Sequence, residues 1–236
     1  MGKVALVTGA AGRGIGRSVA LALARDGYDV ALTYRSSDAA ADEVAGAINE
    51  LGRRAEPIRS DLFDVAACEA LVPQVLASFG RLDALVIGPG ADWHPEPPES
   101  LDPNHALADA RQEMLPVFAL APAAIAAMSA AGGRIVGIGT NARLPSPSYA
   151  YNTAKKARTA ALLGLAGACW KHRITVNVVA PGPVEPLGAI GEAMAMTADF
   201  SATGPAVSPQ DIAEIVAFLC SDKGRYVTAN EIGTQF

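Results

Sequence analysis

Charge and aromatic surface are both scarce in this chain: 18% of its 236 residues are Asp, Glu, Lys or Arg, and 6% are Phe, Trp or Tyr. There is no excess of positive charge. The 19 Lys and Arg stand against 24 Asp and Glu, a net charge of −5. That leaves no broad cationic face for a phosphate backbone, so nucleic-acid binding is not expected. No uninterrupted apolar run reaches about 18 residues, so neither is a membrane span. Met1-Gly2-Lys3-Val4 enters an apolar pattern at once, without the layout of an export signal. Cysteine is limited to Cys68, Cys169 and Cys220, odd in number and far apart. This excludes a disulfide framework and reads as three buried thiols in a reducing cytoplasm. His105 and His172 read as surface or core residues, and no spacing suggests a metal.

What the chain does have is apolar side chains, 50% of its residues, and a length suited to one large α/β domain. Short runs rich in Val and Ile, without polar alternation, occur over 4–8, 30–34, 55–60, 84–87, 134–138 and 175–180. Such runs suit strands covered on both faces, as in a parallel sheet. Helix-period segments lie between them, over 16–26, 37–51, 65–79, 103–130 and 151–172, and a weaker final strand is expected over 226–232. This alternation predicts right-handed crossovers in a doubly wound sheet. Residues 91–103 read as a loop and 181–209 as an excursion from the framework.

Directly after the first strand comes Gly9-Ala10-Ala11-Gly12-Arg13-Gly14-Ile15-Gly16, and a helix follows. Glycines there permit a tight turn and close approach to a pyrophosphate, and the helix N-terminus supplies free N–H groups. The position favours a dinucleotide site over an ordinary turn. The second strand ends in Tyr34-Arg35-Ser36-Ser37, with no carboxylate to hold ribose hydroxyls. Arg35 and Ser36, with Arg13 from the loop, suit a 2′-phosphate and so NADP(H) over NAD(H). The competing reading of Arg35 is a solvated strand end. Asp61 either meets an adenine amino group or caps the next helix.

Tyr151 and Lys155 share a helix face at i, i+4 spacing. An ammonium beside a phenol favours phenolate, so Lys155 is expected to lower the Tyr151 pKa and let it move a proton at a carbonyl oxygen. The spacing alone is common. Its weight comes from following the strand end Gly137-Ile138-Gly139-Thr140 in a chain that opens with a phosphate loop.

These segments, together with Val7-Thr8-Gly9, Gly14-Ile15-Gly16-Arg17, Asp61-Leu62, Gly80-Arg81-Leu82-Asp83, Tyr151-Asn152-Thr153-Ala154-Lys155, Val176-Asn177 and Pro181-Gly182-Pro183-Val184, resemble the short-chain dehydrogenase/reductase family. The likeness is to members related to 3-oxoacyl-carrier-protein reductases. It implies a Rossmann-type doubly wound parallel sheet of about seven strands in three α/β/α layers, an NAD(P) cofactor and a homodimer or homotetramer. It further implies Tyr151 as acid and base, Lys155 on the nicotinamide ribose, and Thr140 in place of a serine that holds the substrate oxygen. Cofactor contacts are implied for Leu62, Gly88, Gly90, Pro181, Gly182 and Val184 as well.

Several positions depart from the family pattern. The glycine loop is one residue longer between Gly9 and Gly14. Ile87-Gly88-Pro89-Gly90 replaces an Asn-Asn-Ala-Gly whose amides brace the sheet. Glu113 falls where the family has an asparagine that helps hold a water chain to the lysine. Its carboxylate can pair with Lys155, titrate in the relay, or point away. Thr140 stands closer to Tyr151 than usual, with Ser146 and Ser148 as alternative hydroxyls.

Residues 183–209 correspond to the family's variable substrate segment. Here Leu187, Ile190, Met194, Met196 and Phe200 either receive an uncharged carbonyl compound or pack on the domain. Trp93 and His94 either border the pocket or anchor a loop. The resulting expectation is an NADPH-dependent reductase of a polyketide-like or acyl-thioester ketone. A catalytically impaired NADP(H)-binding sensor is the alternative.

Overall fold

The computed structural model describes residues 2–141, 148–184, 190 and 207–234. In chain order the elements are β1 (Lys3–Val7), α1 (Ile15–Arg25), β2 (Tyr28–Tyr34), α2 (Asp38–Glu50), β3 (Ala55–Arg59), α3 (Val65–Phe79), β4 (Ala84–Ile87), α4 (Pro103–Met128), β5 (Gly133–Ile138), α5 (Tyr149–Leu163), α6 (Ala166–Trp170), β6 (Ile174–Ala180), α7 (Pro209–Cys220) and β7 (Asn230–Gly233). Among the described residues the strands form one parallel sheet of seven, in the order β3-β2-β1-β4-β5-β6-β7. The order reverses between β1 and β4, which leaves a crevice at the carboxyl ends of those strands.

Side-chain alternation splits the core between the two faces of this sheet. Ala5, Val7, Val30, Leu32, Val86 and Val136 pack with the apolar sides of α1, α2 and α7. Val4, Leu6, Leu85, Ile87, Ile135 and Val176 pack with α3, α4 and α5. Both faces are therefore covered, which is why the strand runs show no polar alternation. The three cysteines are buried, and no described helix is long and apolar enough to cross a membrane.

Three local expectations change. The helix-period segment over 151–172 is two helices, because α5 ends at Gly164 before α6 begins. The last strand begins only at Asn230, after Ala229 turns with φ 59°. A further helix, α7, follows the excursion; Ser208 and Asp211 cap it reciprocally and Pro209 opens it. Leu187, Met194, Met196, Phe200 and Ser146 lie outside the described residues.

Candidate active site

The crevice holds a cavity of about 740 Å³ whose wall joins Gly14, Ile15 and Gly16 of the glycine loop to Thr140, Tyr151 and Lys155. Gly88, Trp93, Pro181, Gly182 and Val184 complete it. Residues separated widely in the chain thus share one space, because β1, β4, β5 and β6 all end on the same edge of the sheet.

The loop suits a dinucleotide for reasons that differ from glycine to glycine. Gly9 has φ +66°, and a Cβ there would lie 2.2 Å from Pro89 Cγ. At Gly16 a Cβ would lie 2.4 Å from the Gly9 carbonyl oxygen, so its absence lets α1 approach the strand end. Gly12 and Gly14 face open space instead, and Gly14 does so on the cavity wall, where a Cβ would obstruct a ligand. Gly14 is the N-cap of α1 and provides no side-chain cap. The first N–H groups of the helix are therefore left for an anion. Thr33 Oγ1 accepts from Gly9 N at 2.9 Å, and Thr8 Oγ1 accepts from Gly88 N at 3.0 Å, which ties the lengthened loop to β2 and β4.

A smaller recess of about 170 Å³ adjoins the loop and is lined by Arg35, Asp61, Leu62 and Gly90, among others. The Arg35 guanidinium stands exposed, 5.9 Å from the centre of the Phe63 ring. Asp61 accepts from Phe63 N at 3.0 Å, whereas Asp64 caps α3; Asp61 is therefore not the helix cap. Gly12, Arg13 and Ser36 are exposed and line neither recess.

Beneath the cavity lies a buried cluster of charge. Glu113 and Arg158 are fully buried and Lys155 is 6% exposed. Lys155 Nζ is 3.0 Å from Glu113 Oε1, and Arg158 Nε is 2.9 Å from Glu113 Oε2. Ala91 N also donates to Glu113 Oε1, at 2.8 Å. Of the three expectations for Glu113, pairing with Lys155 is the one realised. Gly90 serves this arrangement: a Cβ there would lie 2.1 Å from Glu113 Oε1. Gly90 also borders the smaller recess, on the side where a cofactor contact was expected.

Arg158 was not anticipated from the sequence. Its Nη1 donates to the carbonyls of Gly88 (2.9 Å) and Ile138 (3.1 Å), its Nη2 to Pro89, and its Nε to the Glu113 carbonyl at 3.1 Å. One guanidinium thus ties together the ends of β4 and β5 and the middle of α4. Its spacing, i+3 from Lys155 and i+7 from Tyr151 on the face they share, was the one signal in the sequence, and it does not reveal burial.

The ionisation of Tyr151 departs from the expectation. Burial pushes its phenol up to about 12; Glu113 adds to the rise and Arg158 opposes it. Lys155 Nζ sits 5.4 Å from the ring centre and does not reverse the effect of burial. The lysine itself is pulled down to about 8, first by burial and then by Arg158, with Glu113 resisting. Thr140 reaches the cavity wall as expected. Ser148 is buried and donates to the His94 carbonyl at 2.5 Å, which removes it as the alternative hydroxyl. His94 turns onto Asp109 rather than into the cavity, and His105 stacks on His94.

Comparison with known proteins agrees with this geometry. Residues 9–234 match the family model described as enoyl-(acyl carrier protein) reductase. An uncharacterised oxidoreductase of Methylorubrum extorquens is 37% identical over 98% of this chain and 95% of its own length. A cyclohexanol dehydrogenase of a Rhodococcus species is 34% identical over 96% of this chain and 92% of its own. The crystal structure of an acetoin dehydrogenase from Salmonella typhimurium superposes with a TM-score of 0.85 at 29% identity, covering 99% of this chain and 94% of that one. The chain belongs to the short-chain dehydrogenase/reductase family and is an oxidoreductase. That membership implies a nicotinamide dinucleotide as cofactor, and the open face at Gly14, on the uncapped end of α1, fits one.

Proposed function

We propose that this protein reduces an uncharged ketone to the alcohol with NADPH. The observation that carries the reading is the shared wall of the cavity, where Tyr151 and Lys155 face the same space as Gly14–Gly16. The nicotinamide, when bound, supplies the hydride. Tyr151, whose phenol burial keeps in the neutral form, donates the proton to the carbonyl oxygen. Thr140 holds the substrate oxygen by its hydroxyl. Lys155, fixed by Glu113, contacts the nicotinamide ribose and keeps a positive charge under the phenol as its proton leaves. Arg158 positions Glu113 and, through it, Lys155.

Arg35, exposed beside the smaller recess with no acid following it on the strand end, supports NADPH over NADH. Cyclohexanol and acetoin, named for two of the similar proteins, are both uncharged alcohols. They support a small ketone as readily as a polyketide-like or acyl-thioester one. Apolar side chains exposed on α4, Leu107 and Phe118, support assembly as a homodimer or homotetramer. The test is a panel of cyclic ketones, acyclic ketones and acyl-thioester ketones with each dinucleotide, followed at the nicotinamide absorbance. Turnover of at least one ketone, faster with NADPH, is expected. NADPH binding without oxidation across the panel would leave the sensor reading instead.

A further inference from the structure

His94, His105 and Asp109 place two imidazoles and a carboxylate within one coordination sphere of each other, at a place where the oxidoreductase reading needs none of them. We propose that these three side chains bind a divalent first-row transition metal, with zinc the ion whose ligand preferences they match.

The three come from two elements. His105 and Asp109 lie one turn apart on the same face of α4, and His94 comes from the segment after β4. Asp109 Oδ2 is 2.9 Å from His94 Nε2, and Asp109 Oδ1 is 3.8 Å from His105 Nε2. All three ligand atoms fall within 4.8 Å of one another. Nitrogen and oxygen ligands about 2.0–2.1 Å from a tetrahedral zinc stand about 3.3 Å apart. The two carboxylate–imidazole distances, one to each carboxylate oxygen, lie on either side of that separation. The widest gap needs closing, and His105, whose side chain is 49% exposed, has the freedom to close it.

Charge points the same way. The Asp109 side chain is only 5% exposed, and among the described residues its ion-pair partners are these two imidazoles. No Lys or Arg occurs from residue 82 to 110, a stretch that also carries Asp92, Glu96, Glu99 and Asp102. The imidazole rings stack with centroids 4.2 Å apart and 17° between planes. A divalent cation would balance the buried carboxylate, with the half-exposed His105 ring turning out of the stack so that the in-plane lone pairs of both imidazoles meet the ion. Three protein ligands leave further positions to water.

The site would sit against a wall of the catalytic cavity. Trp93, the neighbour of His94, lines that cavity. The His94 carbonyl accepts from Ser148, and the Glu96 carbonyl accepts from Tyr149 N at 3.1 Å, at the start of the helix that carries Tyr151. Metal at His94 would therefore fasten the 92–101 segment to α4 next to the N-terminus of α5.

The test does not depend on turnover. Untagged, metal-stripped protein carrying Trp170→Phe, which leaves Trp93 as the only tryptophan, is titrated with Co²⁺ while visible absorbance and tryptophan fluorescence are read. One equivalent is expected to give d–d bands and quench Trp93, Zn²⁺ is expected to displace it, and His105→Ala or His94→Ala in the same background is expected to weaken binding by at least about tenfold. Asp109→Asn should do likewise. His105→Ala alters a half-exposed side chain, so it tests the site even if the Asp109 variant misfolds. Absence of stoichiometric quenching, or an unchanged affinity in His105→Ala, would overturn the proposal.

Discussion

Lys155, Arg158 and Glu113 bring two basic groups and one acid into the same buried volume. The sum balances when one of the two bases is neutral; burial lowers both, and the lysine, pulled down to about 8, is the one that can give up its proton. Its folded pKa lies below the usual lysine value of 10.5, so the unfolded chain holds more protons between the two. Stability should rise with pH across that window and suffer the full cost of the buried ammonium below it. Lys155→Met is therefore expected to stabilise the fold at pH 7 by roughly 1–3 kcal/mol while losing activity. Thermal unfolding at pH 7 and at pH 10 checks this, since the advantage should shrink at the higher pH. Glu113→Gln has the opposite sign. It leaves Lys155 and Arg158 facing each other without an anion and should cost about 3–5 kcal/mol in urea unfolding. Adding Arg158→Leu should cost less than the sum of the single changes, because the two side chains answer each other.

At the scale of elements, the strands are legible because parallel strands buried on both faces leave continuous apolar runs such as Ala84–Ile87. The breaks are harder to read. Gly164 ends α5 inside a periodic segment that continues past it, and periodicity alone cannot register one glycine as a stop. The start of α7 is written locally, in Ser208, Pro209 and Asp211, but adjoins an irregular stretch that obscures it. The phosphate loop is legible for the opposite reason, because its glycines stand between β1 and α1, where Gly9 and Gly16 meet close steric limits. Gly16→Ala should force α1 away from Gly9 and weaken NADPH binding by about tenfold or more. Fluorescence titration measures that loss, and the same change at Gly12, which faces open space on the chain's own side, should harm folding much less.

For the molecule as a whole, the site is legible where chemistry follows chain spacing and hidden where it depends on contact between elements. Tyr151 and Lys155 lie one turn apart. Arg158, by contrast, reads as a solvated side chain on an Ala-rich helix until Glu113 of α4 is placed opposite it. His94 and Asp109 are likewise joined only by the fold. The outer surface of α4 makes its own prediction: Phe118 is 61% exposed and Leu107 70%, more apolar exposure than an isolated helix face needs. Phe118→Glu is expected to shift the assembly toward monomer, read by light scattering on a sizing column, with the fold retained by circular dichroism. The central claim is that the Tyr151 phenol gives its proton to a carbonyl held in the cavity. It is tested most directly by the Tyr151→Phe variant, with NADPH oxidation and NADPH binding measured on the same sample. Loss of about 100- to 10,000-fold in kcat with binding unchanged is the expected result; ketone reduction at the wild-type rate would contradict it.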